Sequence, residues 1–359
     1  MDAWILKRAR RTLPRLLKKA GLDLSGMNVY TEAATESYAC GAAIALLAGA
    51  QSVHCMARDS RFGPARDAIR QTRAAAAGLG ADVARLTFSE GHDARALELA
   101  DLVTNMGMLR PLNAELIQRL RPGTVISLMY EAWELRSGDI DFTAAKQRGV
   151  VVVGVRENHR AVECHHSAAV LLLRGLLEAG LAVFCDELLL VCANPFALYA
   201  VPGLAAQCDR LYLLDRGYGG PNLPRNVQRV FVEDPVSRAY DALLLLDVPQ
   251  EGRWTVAADK EAVWPLPCLG TWDVCVQAMG DVRREDFPGV KFVPDAAPAR
   301  GYMGLNPAAL GIDLVARTVV AGLSAAAEAR TALAACREPP GGASPRMQWA
   351  VLMNGEAGQ

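Results

Sequence analysis

Glu131, Glu134 and His159 are the residues whose types and spacing best suit acid–base work on a small polar molecule. Two carboxylates three residues apart can share or exchange a proton, and an imidazole changes charge near neutrality. Arg58, Arg61, Arg136 and Asn158 supply cationic and amide groups that would hold an anionic substrate. The competing readings are a solvated ion-pair network for the acids and Arg136, and a capping or packing role for His159. A second set follows the apolar run Glu187–Cys192, where Asn194 can cap a helix and Pro195 begin it. Asp215 stands about 20 residues further on, an acid directly after the next strand. Ala193, Asn194, Phe196, Asp215, Arg216 and Asp281 make up this second set.

Other chemistries find less support. His165 and His166 are adjacent, and neighbours on a helix point about 100° apart, so they do not clasp one ion as an i, i+4 pair would. No cysteine pair has ligand spacing and no serine sits in a G-x-S-x-G turn, so no metal is expected. The nine cysteines are an odd set inside apolar runs, which fits reduced, buried thiols.

These groups need a scaffold that gathers distant loops. Short apolar runs alternate with helical stretches twice: 27–31, 52–57, 82–88, 102–105, 124–129 and 150–154 read as strands, then 187–192, 210–214, 230–232, 242–247 and 274–278. If both sets are parallel, their polar ends share one rim, where open α/β sheets bind ligands. The expected fold is α/β: two Rossmann-like domains, flavodoxin-like and then nucleotide-binding, with mostly parallel sheets joined by a long linker helix. The expected boundaries are 1–158, linker 159–182, 183–310, a crossing helix 311–337 and a tail 338–359, frayed or used in an oligomer contact. The turn 300–307 reads as a helix-entry loop or a wall of an interdomain cleft.

The stretch 113–173 resembles D-2-hydroxyacid dehydrogenases in order and spacing, through Asn113-Ala-Glu-Leu-Ile-Gln-Arg-Leu, Asp141-Phe-Thr-Ala-Ala-Lys-Gln-Arg-Gly149 and Ala161-Val162-Glu163. Leu188 to Asp215 falls where that family has its coenzyme strand, turn and helix, and Tyr240–Pro249 is similar to its later strand ending in Pro. The resemblance implies an NAD(P)-dependent oxidoreductase of a small polar metabolite, with Ala193, Asn194, Phe196, Asp215, Arg216 and Asp281 contacting the nucleotide and Asp215 accepting hydrogen bonds from its ribose. It also exposes departures. Cys192-Ala-Asn-Pro-Phe-Ala197 replaces the glycine fingerprint, Met279-Gly-Asp281 stands where the catalytic Arg would, and no histidine lies beyond residue 166. Val274–Val282 is similar to a strand and loop of S-adenosylhomocysteine hydrolases, without their His. The alternatives are an S-adenosylmethionine-dependent methyltransferase, which needs no pyrophosphate glycines, and a catalytically degenerate sensor or scaffold.

At 359 residues the chain is long enough for two cores, and its 52% apolar content, rich in Ala, Leu and Val, suits helices over buried parallel strands. A net charge of -1 gives no global field for nucleic acid. Residues 4–20 carry seven Lys or Arg among leucines, which reads as a surface helix packing its Leu side. No run approaches the ~20 apolar residues of a membrane span, so no membrane partner is expected. The expectation is a cytoplasmic homodimer whose partner is a small-molecule substrate.

Overall fold

The computed structural model describes residues 3–181, 184, 186–232, 238–247, 255–259, 261–300, 302–335 and 348–353. The elements run α1 (Ala3–Ala20), β1 (Asn28–Glu32), α2 (Gly41–Leu47), β2 (Ser52–Ala57), α3 (Ala65–Leu79), β3 (Leu86–Glu90), α4 (Ala94–Leu99) and β4 (Leu102–Thr104). Next come α5 (Ala114–Arg119), β5 (Val125–Ser127), α6 (Phe142–Arg148), β6 (Val151–Val155), α7 (Ser167–Ala179), β7 (Glu187–Val191), α8 (Ala197–Ala205), β8 (Arg210–Leu214) and β9 (Val227–Val230). The chain ends with β10 (Ala239–Leu246), β11 (Thr255–Ala257), β12 (Trp264–Pro265), α9 (Leu266–Leu269), β13 (Thr271–Met279), β14 (Asp281–Val282), β15 (Lys291–Val293), α10 (Ile312–Ala335) and β16 (Ala350–Leu352).

Two compact units result: residues 1–164 with 311–359, and residues 165–310. The first unit's sheet has the order β16-β6-β5-β4-β1-β2-β3, and the second unit's main sheet β15-β13-β10-β7-β8-β9. Numbered within each unit, the six parallel strands run 3-2-1-4-5-6 in both, the doubly wound Rossmann order. The first sheet therefore takes the Rossmann order in place of the flavodoxin-like 2-1-3-4-5.

Sequence explains why the strands are central. Leu243 to Leu246 of β10 and Leu188 to Val191 of β7 are buried, as strands covered on both faces must be. One core of the first unit groups Tyr30, Met56, Leu97, Val103, Ile117 and Ile126; in the second unit Val191, Tyr212, Leu243, Cys275 and Trp264 pack together. Helix α10 covers the first sheet with small residues that allow close approach. Ser127 Oγ donates to the Gly322 carbonyl at 3.0 Å, and a Cβ on Gly322 would lie 2.3 Å from Met129 Sδ. Helix α1 buries Ala9, Leu13, Leu17 and Ala20, and Arg8 reaches Asp313 of α10 at 2.7 Å.

Several boundaries differ from expectation. Asp82 accepts from the Ala84 N–H and caps a short 3-10 turn at Val83–Arg85, so β3 starts at Leu86 and not at 82. The strand expected at 230–232 lies at Val227–Val230. The expected linker helix begins as a 3-10 turn at Cys164–His166, and the unit boundary falls inside it. Part of the tail is not frayed: Ala350–Leu352 pair antiparallel with Val153–Val155 of β6. A three-stranded sheet, β12-β11-β14, was not anticipated. Val248, Pro249, residues 336–347 and 354–359 lie outside the described residues. Six described cysteines, Cys40, Cys55, Cys164, Cys192, Cys208 and Cys275, are buried and not in disulfides. No helix among the described residues is long and apolar enough to cross a membrane, and no described group of His, Cys, Asp or Glu could hold a metal.

Candidate functional site

Strand order decides which loops meet at the point where the winding reverses. In the first unit that point lies between β1 and β4, which pair in parallel with Val29 opposite Leu102 and Tyr30 opposite Val103. Thr31 and Thr104 meet there with their hydroxyls 2.8 Å apart, and Glu32, the last residue of β1, and Asn105, the first after β4, follow them at the carboxyl edge. Glu32 is buried, and its carboxylate accepts from the Met108 N–H. Burial raises its pKa to about 7, against that hydrogen bond and the opposing charges of Arg110 and Arg58. Tyr130 gives its one proton to Asp139 at 2.8 Å and so accepts from Asn105 Nδ2 at 3.1 Å. That fixes the amide's orientation, and Asn105 Oδ1 is left buried without a partner. Arg110 completes the group through an ion pair to Asp139 at 3.3 Å, while Arg58 donates to the Arg110 carbonyl at 3.1 Å.

The expected acid pair does assemble, beyond β5 on the same carboxyl edge. Glu134 accepts from the Glu131 N–H at 3.1 Å, and Glu131 accepts from the Glu157 N–H at 3.0 Å and from the Trp133 indole. Both oxygens of Glu131 are thus committed to shaping the loop. Burial and the Glu131 charge lift the Glu134 pKa to about 7, with Arg136 opposing. Glu157, adjacent to Asn158 and absent from the expected set, is pushed well above the ordinary carboxylate range by burial and by both neighbouring acids.

The remaining expected residues of this unit go elsewhere. His159 stacks on Trp349 with ring centroids 3.8 Å apart, and its Nδ1 accepts from the Ala161 N–H at 3.2 Å, the packing and capping alternative. Desolvation lowers its pKa. Arg61 lies over the Phe62 ring at 4.8 Å with both residues exposed, and Asn158 is exposed. Neither is brought into the Glu131–Glu134 group.

In the second unit the winding reverses between β7 and β10, and the chain's own side chains bridge that point. Asp247 Oδ1 accepts from the Ala193 N–H at 3.1 Å and from Asn194 Nδ2 at 3.3 Å; its Oδ2 accepts from the Trp264 indole at 3.0 Å. Asn194 also donates to the Leu246 carbonyl at 2.7 Å and accepts from the Phe196 N–H at 2.9 Å, at the start of α8. Asn194, Asp247 and Trp264 are all buried. Phe196 packs edge-on against His165, ring centroids 4.6 Å apart. Asp215 does close β8, but its side chain is 0% exposed and bonded to Arg229 Nε at 2.7 Å and to the Gly219 N–H at 2.6 Å. Arg216 is exposed, and Asp281 sits in the small sheet paired with Arg300 at 3.3 Å.

Glu32, Asn105 and Tyr130 stand at the ends of the expected strands 27–31, 102–105 and 124–129, where sequence alone does not rank them. Asp247 ended an expected strand with no partner in view. The signal that promotes all four is strand order, since each flanks or lines a reversal of winding.

No known family profile matches the sequence, and no curated protein matches it. Solved structures do. A dipicolinate synthase subunit from Bacillus halodurans is 9% identical, covering 83% of this chain and 96% of that one with a TM-score of 0.50. A dipicolinate synthase chain from Bacillus subtilis is 11% identical, covering 87% and 99% with a TM-score of 0.51. D-2-hydroxyisocaproate dehydrogenase is 12% identical, covering 84% and 96% with a TM-score of 0.47. At these identities the likeness is one of fold, and the fold is a tandem Rossmann-like α/β architecture.

Proposed function

We propose that the chain is an oxidoreductase of a small polar metabolite, with a nicotinamide nucleotide, NAD or NADP, at the carboxyl edge of the second unit's sheet. The observation that carries this reading is the second unit's 3-2-1-4-5-6 parallel order with Asp215 at the end of its second strand. Such an order leaves a crevice at the reversal for a ligand; Asp215, at the place of the ribose acid, is held by Arg229 and the Gly219 N–H. The dehydrogenase resemblance of 113–173 and 188–215 and the fold shared with the two dipicolinate synthase chains support it.

The residues present do not fit a pyrophosphate seated on the turn after β7. The Ala193 and Phe196 N–H groups, which such an anion would need, are bonded to Asp247 and Asn194, and Asp247 adds a negative charge at the same place. A nucleotide here has to be held by other contacts, and no chemical step is derived through it. The same network favours a second reading, a Rossmann-like sensor or scaffold whose cofactor seat is closed.

Titration calorimetry of the full chain with NAD⁺, NADH, NADP⁺, NADPH and S-adenosylmethionine separates the readings. Saturable binding of a nicotinamide nucleotide is the expected result. Binding of S-adenosylmethionine alone would make the chain a methyltransferase candidate, and silence from all five would leave the sensor or scaffold.

A further inference from the structure

We infer that the first unit carries its own small-molecule site at its reversal of winding, formed by Glu32 and Asn105, for a ligand that presents an ammonium group beside an anionic one. This does not rest on nucleotide binding by the second unit, because every group involved belongs to the first.

Glu32 is the last residue of β1 and Asn105 directly follows β4, the strand that pairs in parallel with it, so both stand at the sheet's carboxyl edge. Asn105 is 1% exposed, and its Oδ1 has no hydrogen-bond partner. The amide cannot be turned to cure this, because Tyr130 has already spent its proton on Asp139 and needs the Asn105 N–H. An unmet buried acceptor destabilises the fold, so a group that supplies a donor there is favoured. Glu32 beside it accepts from one backbone N–H, that of Met108, and an ionised carboxylate can take more.

With Glu32 ionised, above its pKa of about 7, the pair asks for donors only. A hydroxyl brings one proton and can serve one of the two acceptors. An ammonium brings three and can serve both, and its charge meets that of the buried Glu32 carboxylate. Arg58 gives the site its second preference: it is exposed, holds the Arg110 carbonyl, and lies close enough to Glu32 to oppose its charge. A guanidinium so placed suits the ligand's anionic group. Entry would run past 105–110, a segment of turn and coil whose Met108 N–H is pinned to Glu32.

Glycine is the smallest probe of this class, and acetate and glycine betaine are its controls: acetate lacks the ammonium, and betaine keeps both charges but has no N–H. Calorimetric titration of the full chain, without nucleotide, should show saturable glycine binding and at least tenfold weaker binding of each control. Asn105→Leu should lose glycine binding by at least tenfold. Asn105→Asp, which keeps an acceptor and adds charge, should retain it, so a folding defect in the leucine variant does not decide the matter. Equal binding of glycine and betaine would overturn the proposal. So would absence of binding by all three, which would assign the unmet Asn105 oxygen to an ordered water.

Discussion

Asp247 shows how one side chain can decide what a crevice accepts. A carboxylate at the second unit's reversal, satisfied by a backbone amide, a carboxamide and an indole, fills with protein the hydrogen-bonding role that a ligand's anion would take. Replacing it with alanine leaves those buried donors without an acceptor. Asp247→Ala should lower the unfolding free energy by about 3 kcal/mol, read in urea as a lower midpoint at unchanged slope. A loss below about 0.5 kcal/mol, the size of an ordinary surface effect, would show the network to be incidental. The same reasoning reassigns Glu131: with both oxygens committed to Glu157 and Trp133, it positions the loop that holds Glu134 and leaves proton exchange to its neighbours.

Between elements, close approach is the controlling quantity. Helix α7 packs on β13 through Gly175, where an added Cβ would fall 2.4 Å from Val276 Cγ1 and 3.1 Å from Leu305 Cδ1. Alanine would gain up to ~1 kcal/mol of helix propensity and lose ~1–3 kcal/mol to overpacking against a stiff β-branched neighbour. Clash is expected to win, so Gly175→Ala should melt below the wild type, and adding Val276→Ala should restore part of the loss. A double-mutant cycle with no coupling would contradict that packing.

Across the molecule, buried acids set the response to pH. Glu32 binds its proton more tightly folded than unfolded, its pKa rising from 4.5 to about 7, and Glu134 and Glu157 shift the same way. The folded state therefore holds the extra protons, and stability falls as pH rises from about 4.5 through about 7 for Glu32 and Glu134, and further for as long as Glu157 keeps its proton. The share of Glu32 alone should amount to about 3 kcal/mol, on the order of 1.4 kcal/mol for each tenfold difference in proton affinity between the folded and unfolded chain, with other groups superposed. Glu32→Gln removes one of these contributions, so its stability relative to wild type should improve between pH 5 and pH 8. Urea midpoints across that range test this; a constant difference would mean that Glu32 is ionised throughout.

Much of this molecule follows from local rules. Apolar runs of strand length, Asn113 and Asp141 as caps of α5 and α6, and the small residues of α10 are legible in one dimension because each depends on neighbours a few residues away. The acid loop at 131–134 was legible for the same reason. Which loops meet was not, because strand order is a long-range property: Glu32 and Asn105 are brought together by the pairing of β1 with β4, and Asn194 and Asp247 by that of β7 with β10. His159, apt for acid–base work by type alone, lies against Trp349 because β16 folds back on β6. Sequence determined what each loop could offer; tertiary structure decided which offers were already taken, since a buried polar group must find its partner wherever the packing puts it.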